Sequence, residues 1–310
     1  MSSNKKKYIV TTTINPPTLA THRFASKKDW TLIVVGDKKT PHSDYESLDC
    51  IYLHPDEQEE KYSELSKTIG WNSIQRRNIG FVEAYNLGAD IVATVDDDNI
   101  PYDDWGKDVL VGHEIECDLY EPIDSVFDPL SVTNTPHIWH RGYPIQLLER
   151  RHQVEYKGKV MRKVLVQADL WDGDPDIDAM ARLTMKPIVK YNVESPYCSN
   201  KIAPFNSQNT FLSREVIPYY TVFPHVGRMD DIWGGYVMQH YFPNSTVYNK
   251  ASVYQDRNVQ DLVTNLEKEV IGYRHTAGLI QDLSNWENIV PKETLEFWKK
   301  YRECYDEICD

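Results

Sequence analysis

The chain predicts an α/β fold with a mostly parallel central sheet, helices on both faces and a C-terminal helical extension. Three observations carry that reading. Apolar, β-branched runs at 8–13, 30–36, 50–53 and 89–95 alternate with segments of helical spacing, the rhythm of βαβ units. The main runs are closed by turn or acidic residues, Asn15-Pro16-Pro17, Asp37-Lys38-Lys39 and Asp96-Asp97-Asp98, and in a parallel sheet such carboxyl ends share one edge. From Asp261 onward the pattern turns helical.

In chain order, the first strand (8–13) leads to a helix over 18–26, and the continuous apolar run 30–36 is the second strand. Residues 50–53 form a short third strand. A helix over 74–88 carries Arg76, Arg77 and Asn78 in its first turns and delivers the strand that ends at Asp96. Segment 103–128 is acidic and aromatic, which predicts irregular structure with short strands. Residues 164–170 read as a strand running into Trp171-Asp172-Gly173-Asp174-Pro175-Asp176-Ile177-Asp178. That stretch lacks the twelve-residue spacing and terminal Glu of a calcium loop, so it predicts a tight acidic turn capping a helix from Ile177. Residues 206–212 form a further strand, 226–236 open a helix with a carboxylate near its cap, and 285–310 form a polar helical tail. No internal repeat or low-complexity linker interrupts the chain.

With 310 residues, 41% hydrophobic and 12% aromatic, the sequence can bury a full core. The net charge of −13, with basic residues scattered apart from Lys5-Lys6-Lys7, leaves no broad nucleic-acid footprint, although a few Lys and Arg could hold a small anion. No segment approaches the ~18 apolar residues of a membrane span. The polar start Met1-Ser2-Ser3-Asn4-Lys5 lacks a signal-peptide core, so the expectation is a soluble, cytoplasmic protein. Five scattered cysteines, Cys50, Cys117, Cys198, Cys304 and Cys309, fit reduced thiols; the spacing of Cys304 and Cys309 puts them on different helix faces and disfavours a clip.

The aspartate triplet carries the chemistry. Carboxylates stacked at the end of a buried strand repel one another and are costly to desolvate unless a cation neutralises them. Oxygen-preferring ions, Mn²⁺ or Mg²⁺, suit that set; the alternative is a solvated turn.

Ser73-Ile74-Gln75-Arg76-Arg77-Asn78-Ile79-Gly80, a helix, then a strand ending in Asp96-Asp97-Asp98 resembles the nucleotide-binding half of GT-A glycosyltransferases. Further on come Arg141-Gly142-Tyr143-Pro144, the 170–179 stretch, Ala203-Pro204-Phe205-Asn206-Ser207-Gln208-Asn209-Thr210 and Met229-Asp230-Asp231-Ile232-Trp233-Gly234-Gly235-Tyr236. Their order is similar to that in plant reversibly glycosylated polypeptides, which are UDP-arabinopyranose mutases, and in STELLO-type glycosyltransferase domains. Val34-Val35-Gly36-Asp37-Lys38-Lys39-Thr40-Pro41 is most like the STELLO group. The likeness spans roughly 8–260.

This resemblance implies a GT-A (Rossmann-like) catalytic domain over 1–260, with a nucleotide-sugar half at about 8–101 and an acceptor half at about 102–260, and a helical extension at 261–310. It implies a metal at Asp96 and Asp98, with Asp97 towards sugar or ribose hydroxyls. Arg76 and Arg77 would meet phosphate or sugar oxygens, Arg76 the more strongly matched. Asp37 and Lys39, with Thr11, Thr12 and Thr13, would lie near the nucleoside. Trp171, Asp174, Asp176, Asn206 and Gln208 would line the sugar or acceptor pocket. Asp231 would act as general base while Asp230 caps the helix. Arg141 matches the arginine that carries the reversible sugar in the mutases. The chain departs from them at Leu147-Leu148-Glu149-Arg150, where a second arginine and a glycine are expected, and at Val247-Tyr248-Asn249-Lys250, which replaces an aromatic-His segment.

The function expected is therefore metal-dependent transfer, inverting rather than retaining, from a UDP-sugar to a hydroxyl of a glycan, protein, lipid or modified base. A UDP-sugar mutase acting through Arg141 and a non-enzymatic acidic metal-binding module are the alternatives. A nucleotidyltransferase lacks its Gly-rich loop after the first strand. Homo-oligomer formation stays open.

Overall fold

The structure is a computed structural model that describes residues 5–257 and 259–306; Cys309 and the last four positions of the expected tail lie outside the described residues. Among the described residues eleven strands form one sheet: β1 (Lys7–Thr13), β2 (Thr31–Gly36), β3 (Ile51–Leu53), β4 (Ile91–Val95), β5 (Asn99–Pro101), β6 (Glu114–Pro122), β7 (Val154–Lys163), β8 (Val166–Gly173), β9 (Tyr197–Cys198), β10 (Asn209–Ser213) and β11 (Thr246–Gln255). The helices are α1 (Leu19–Ala25), α2 (Pro55–Lys61), α3 (Ser63–Ile69), α4 (Arg77–Asn86), α5 (Ala179–Thr184), α6 (Asp230–Tyr241), α7 (Leu262–Gln281) and α8 (Lys292–Asp306).

The strand order is β3-β2-β1-β4-β10-β8-β11-β9-β6-β7, with β5 paired to the end of β11. The first four strands are parallel, as their βα rhythm requires, and β8 pairs parallel with β11. β10 runs antiparallel between β4 and β8, and β6 and β7 form an antiparallel pair at the edge of the sheet. This is the GT-A-like α/β architecture that the sequence predicts.

The apolar runs serve two cores because successive side chains leave a strand on opposite faces. Val10, Ile33, Val35 and Val92 join one cluster with Ile79 and Phe81 of α4 and Ile232, Trp233 and Tyr236 of α6. Ile9, Leu32, Val34, Ile91 and Val95 join the other with Phe24 of α1, Trp30, Trp105 and Phe211. Both faces are thus covered, which is why the strands read as continuous rather than alternating hydrophobic segments. At Gly234 in α6 an added Cβ would lie 1.7 Å from the Thr221 carbonyl oxygen, so the helix can approach that loop only without a side chain there.

The C-terminal segment expected as an extension shares the first core. Trp286, Phe297, Tyr301 and Tyr305 pack into it; Trp233 donates to Thr276 Oγ1 (2.9 Å) and Tyr301 to the Ile217 carbonyl (2.9 Å). Segment 103–128 holds more order than expected, since β6 pairs along its length with β7. Pairing also brings Cys117 and Cys198 together, their free thiols 3.3 Å apart although 81 residues separate them. No described helix is long and apolar enough to cross a membrane.

Candidate active site

β4 ends at Val95, and the three aspartates that follow diverge. Asp96 pairs with Arg77, a fully buried arginine whose Nη1 also donates to the backbone oxygen (2.8 Å) and Oγ (2.7 Å) of Ser207. Asp97 turns the other way and accepts from Thr13 Oγ1 and Asn15 Nδ2 (2.9 Å). The Asp98 carbonyl accepts from the Asp256 backbone N–H (3.0 Å), which ties this turn to the end of β11.

Two cavities flank the triplet. The larger, about 370 Å³, is lined by Asp96, Asp98, Gln208, Asp230, Asp231 and Gln255, among others. The smaller, about 220 Å³, is lined by Thr12, Thr13, Asn15, Asp37 and Asp97. Asn72, Ser73 and Ile74 border both, so the two make one bent groove at the carboxyl edge of β1, β2 and β4.

The far wall of the larger cavity is the amino end of α6. Asp231 accepts from Arg141 Nη2 (2.9 Å) and from the Ser207 N–H (2.8 Å) and hydroxyl (3.0 Å). Burial alone would raise its carboxyl; the Arg141 charge and the Ser207 donors outweigh that and hold it below the usual carboxylate range. Asp230 accepts from Gln75 Nε2 (2.9 Å) and lies 3.8 Å from Arg141 Nη1. Burial, then the adjacent Asp231 charge, push Asp230 up to about 7. Two consecutive aspartates are therefore split, one a firmly ionised anchor and the other poised to exchange a proton near neutrality.

Arg141 is the hub beneath them. Its Nε donates to both oxygens of Asp176 (3.0 and 2.9 Å), Nη2 reaches Asp231, and Nη1 donates to the Arg228 carbonyl. Every guanidinium nitrogen is engaged, and the surrounding carboxylates raise its pKa further despite burial.

Several other residues sit differently from expectation. Arg76 faces away from the groove: its guanidinium bonds Gln58 Oε1 (2.8 Å), the Gly70 carbonyl (2.9 Å) and Ser66 Oγ (3.1 Å) and stacks 3.5 Å from the Trp71 ring centre. A short 3₁₀ turn over Ile74–Arg76 precedes α4 and rotates the two arginines apart, so Arg77 is the one that reaches Asp96. Asp37 borders the smaller cavity, but it accepts from the backbone N–H groups of Lys38 (2.6 Å), Asn72 (2.8 Å) and Ser73 (3.0 Å) and so clamps the loop that carries them. Thr11 is buried inside β1 and Lys39 is exposed in the turn after β2; neither lines either of the two cavities. Trp171 is buried edge-to-face against His140 in the second core. Asp174 lines neither cavity of the groove and is paired with Arg182, 3.6 Å from Arg257 Nε. Asn206 donates to Asp176 (3.1 Å) and so supports the hub, while Gln208 lines the larger cavity.

The groove also contains residues that sequence reasoning missed. Ser207 sits inside the 203–210 motif and could have been taken with its neighbours. Gln75 lies one residue before Arg76. Gln255 ends β11, a strand with no signal in the sequence reading, and Arg257 follows just beyond it.

Among the described residues, no three His, Cys, Asp or Glu side chains converge into a metal cage. Asp96 and Asp98 nevertheless share one cavity with Gln208, whose buried Oε1 has no hydrogen-bond partner. This all-oxygen set fits a divalent ion that takes its remaining ligands from phosphate and water.

The fold and groove define a class: a GT-A-like α/β protein with an acidic, arginine-buttressed cleft at the carboxyl ends of its strands. The chain is similar to two curated proteins of Arabidopsis thaliana. It is 25% identical over 297 residues to "Probable glycosyltransferase STELLO2", covering 86% of this chain and 39% of that protein. It is 26% identical over 224 residues to "Probable glycosyltransferase STELLO1", covering 66% of this chain and 29% of that protein. The chain thus spans well under half the length of the curated relatives it matches. No protein-family model matches it.

Proposed function

We propose that the chain is a glycosyltransferase that moves a sugar from a nucleoside diphosphate sugar, in particular a UDP-sugar, to a hydroxyl acceptor with inversion. The observation that carries this reading is the bent groove, in which Asp96 and Asp98 face Asp230 across one cavity. Its size falls in the range of small-molecule sites, roughly 300–1,000 Å³. The similarity to probable glycosyltransferases supports the same class.

The smaller lobe takes the nucleoside, with Thr12, Thr13 and Asp97 towards its hydroxyls and base. Asp96, Asp98 and the Gln208 oxygen hold a Mn²⁺ or Mg²⁺ ion, which when bound offsets the charge growing on the departing diphosphate. Asp230 accepts the acceptor hydroxyl's proton, since its carboxyl titrates near neutrality and faces the cavity. Asp231 acts through structure: its oxygens are occupied by Arg141 and Ser207, and it fixes the amino end of α6. These roles reverse the assignment expected from the sequence.

The mutase alternative meets an obstacle at Arg141. A nucleophilic nitrogen needs a free lone pair, and this guanidinium is charged, buried and bonded at all three nitrogens. Calorimetric titration of UDP-sugars with and without Mn²⁺ tests the reading. Mn²⁺-dependent binding is expected, and no binding in Mn²⁺ overturns it.

A further inference from the structure

Gln255 ends β11 with its backbone held on both sides. It is in register with Gly173 of β8 and with Asn99 of β5, and its carbonyl accepts from the Asp174 N–H (3.2 Å). The residue is 1% exposed and lines the larger cavity, yet neither Nε2 nor Oε1 of its amide has a hydrogen-bond partner among the described residues. The next residue, Asp256, bonds the Asp98 carbonyl, and Gln255 lines the same cavity as Asp96 and Asp98 of the proposed cation site. Fold stability gives no reason to keep it: a buried amide left unmade on both sides is worse for folding than an apolar side chain of equal size.

We propose that Gln255 reads the transferred sugar by pairing with two adjacent hydroxyls of a neutral donor sugar. The chemistry selects the ligand. A phosphate or carboxylate oxygen suits the Nε2 donor and is repelled by Oε1, and a cation suits Oε1 and leaves Nε2 unmade. Two neighbouring hydroxyls, one accepting and one donating, satisfy both atoms at once, whichever way the amide is turned. The inference rests on the proposed function, since it assumes a nucleotide sugar in the groove, and it names the part of that substrate that Gln255 recognises.

The test uses the full chain in Mn²⁺, titrated with UDP, UDP-glucose, UDP-galactose and UDP-xylose. At least one sugar nucleotide should bind tenfold or more tightly than UDP, because leaving a buried hydrogen-bonding site unmade discriminates strongly. Gln255→Leu should abolish that gain while leaving UDP affinity unchanged and thermal stability equal or higher. Gln255→Glu, which keeps the size but loses the donor, should abolish it as well. If UDP binds but no sugar adds affinity, or if the gain survives in Gln255→Leu, the inference is overturned and the proposed function stands. A lowered stability in Gln255→Leu with loss of UDP affinity also overturns it, by showing a structural role. If UDP itself fails to bind, the proposed function falls and the inference with it.

Discussion

Replacing Arg141 with methionine keeps most of the side-chain volume and removes the charge that neutralises Asp176 and Asp231. Both carboxylate side chains are at most 5% exposed, and both lose their closest cation. Breaking a buried ion pair costs about 3–5 kcal/mol. Asp176 keeps weaker contacts with Arg228 (3.7 Å) and Arg257 (3.9 Å), and Asp231 keeps the two Ser207 donors, so the lower end applies. With an unfolding entropy of about 2.1 cal/mol/K per residue over a chain of this length, ~3 kcal/mol lowers Tm by ~5 °C. The pH dependence adds a second signature. Asp176 and Asp231 are held below the usual carboxylate range, so the stability they contribute is present above the unfolded pKa of about 4 and is lost as pH falls through the folded values. Without Arg141 both take up protons more readily, and the variant's deficit should shrink from pH 7 towards pH 4.5. Thermal unfolding monitored by circular dichroism at the two pH values measures both effects. A Tm within about 1 °C of the parent at pH 7, or a deficit that does not shrink in acid, would refute the reasoning.

Other predictions follow from the same geometry. Asp230 is raised to about 7, above its unfolded value of about 4, so the folded chain loses stability as pH rises from about 4 to about 7; Asp230→Asn should gain on the order of 1–3 kcal/mol more at pH 8 than at pH 4, read by urea unfolding. The same variant should lose the rise of sugar-transfer rate through neutral pH, whereas Asp231→Asn should show its main effect in thermal stability. Arg76→Ala removes three hydrogen bonds and the Trp71 stack, and it should destabilise by about 2–4 kcal/mol yet leave UDP affinity unchanged in calorimetry at a temperature where it stays folded. Gly234→Ala drives a methyl group into the Thr221 carbonyl, and it should cost at least about 3 kcal/mol or prevent soluble expression.

The parallel half of the fold was legible because its local and global signals agree. Thr18 caps α1 where the helical spacing begins, and the runs at β1, β2 and β4 are apolar on both faces because both are buried. The β6–β7 pairing was not legible: β7 alternates charged and weakly apolar residues at an exposed edge, and its pairing is a long-range event that local pattern does not report. β11 was missed for a related reason. It carries Asn249 and Lys250 in a register break against β8, which interrupts the strand signal where the groove residues begin. At the site, the sequence placed the right segments at one edge but not the direction of individual side chains. Arg76 and Arg77 differ by one position, and the 3₁₀ turn before α4 decides which of them reaches Asp96. Asp230 and Asp231 likewise differ through partners, Gln75 and Arg141, contributed from distant segments.

The central claim is that Asp96 and Asp98 hold a divalent cation beside a nucleoside diphosphate. Anomalous diffraction from a crystal grown with UDP and Mn²⁺ tests it most directly. The account predicts a manganese peak bridging the two carboxylates and the diphosphate, with the nucleoside in the lobe lined by Thr13 and Asp97. A nucleotide bound without manganese at Asp96 and Asp98, or bound outside this groove, would contradict it.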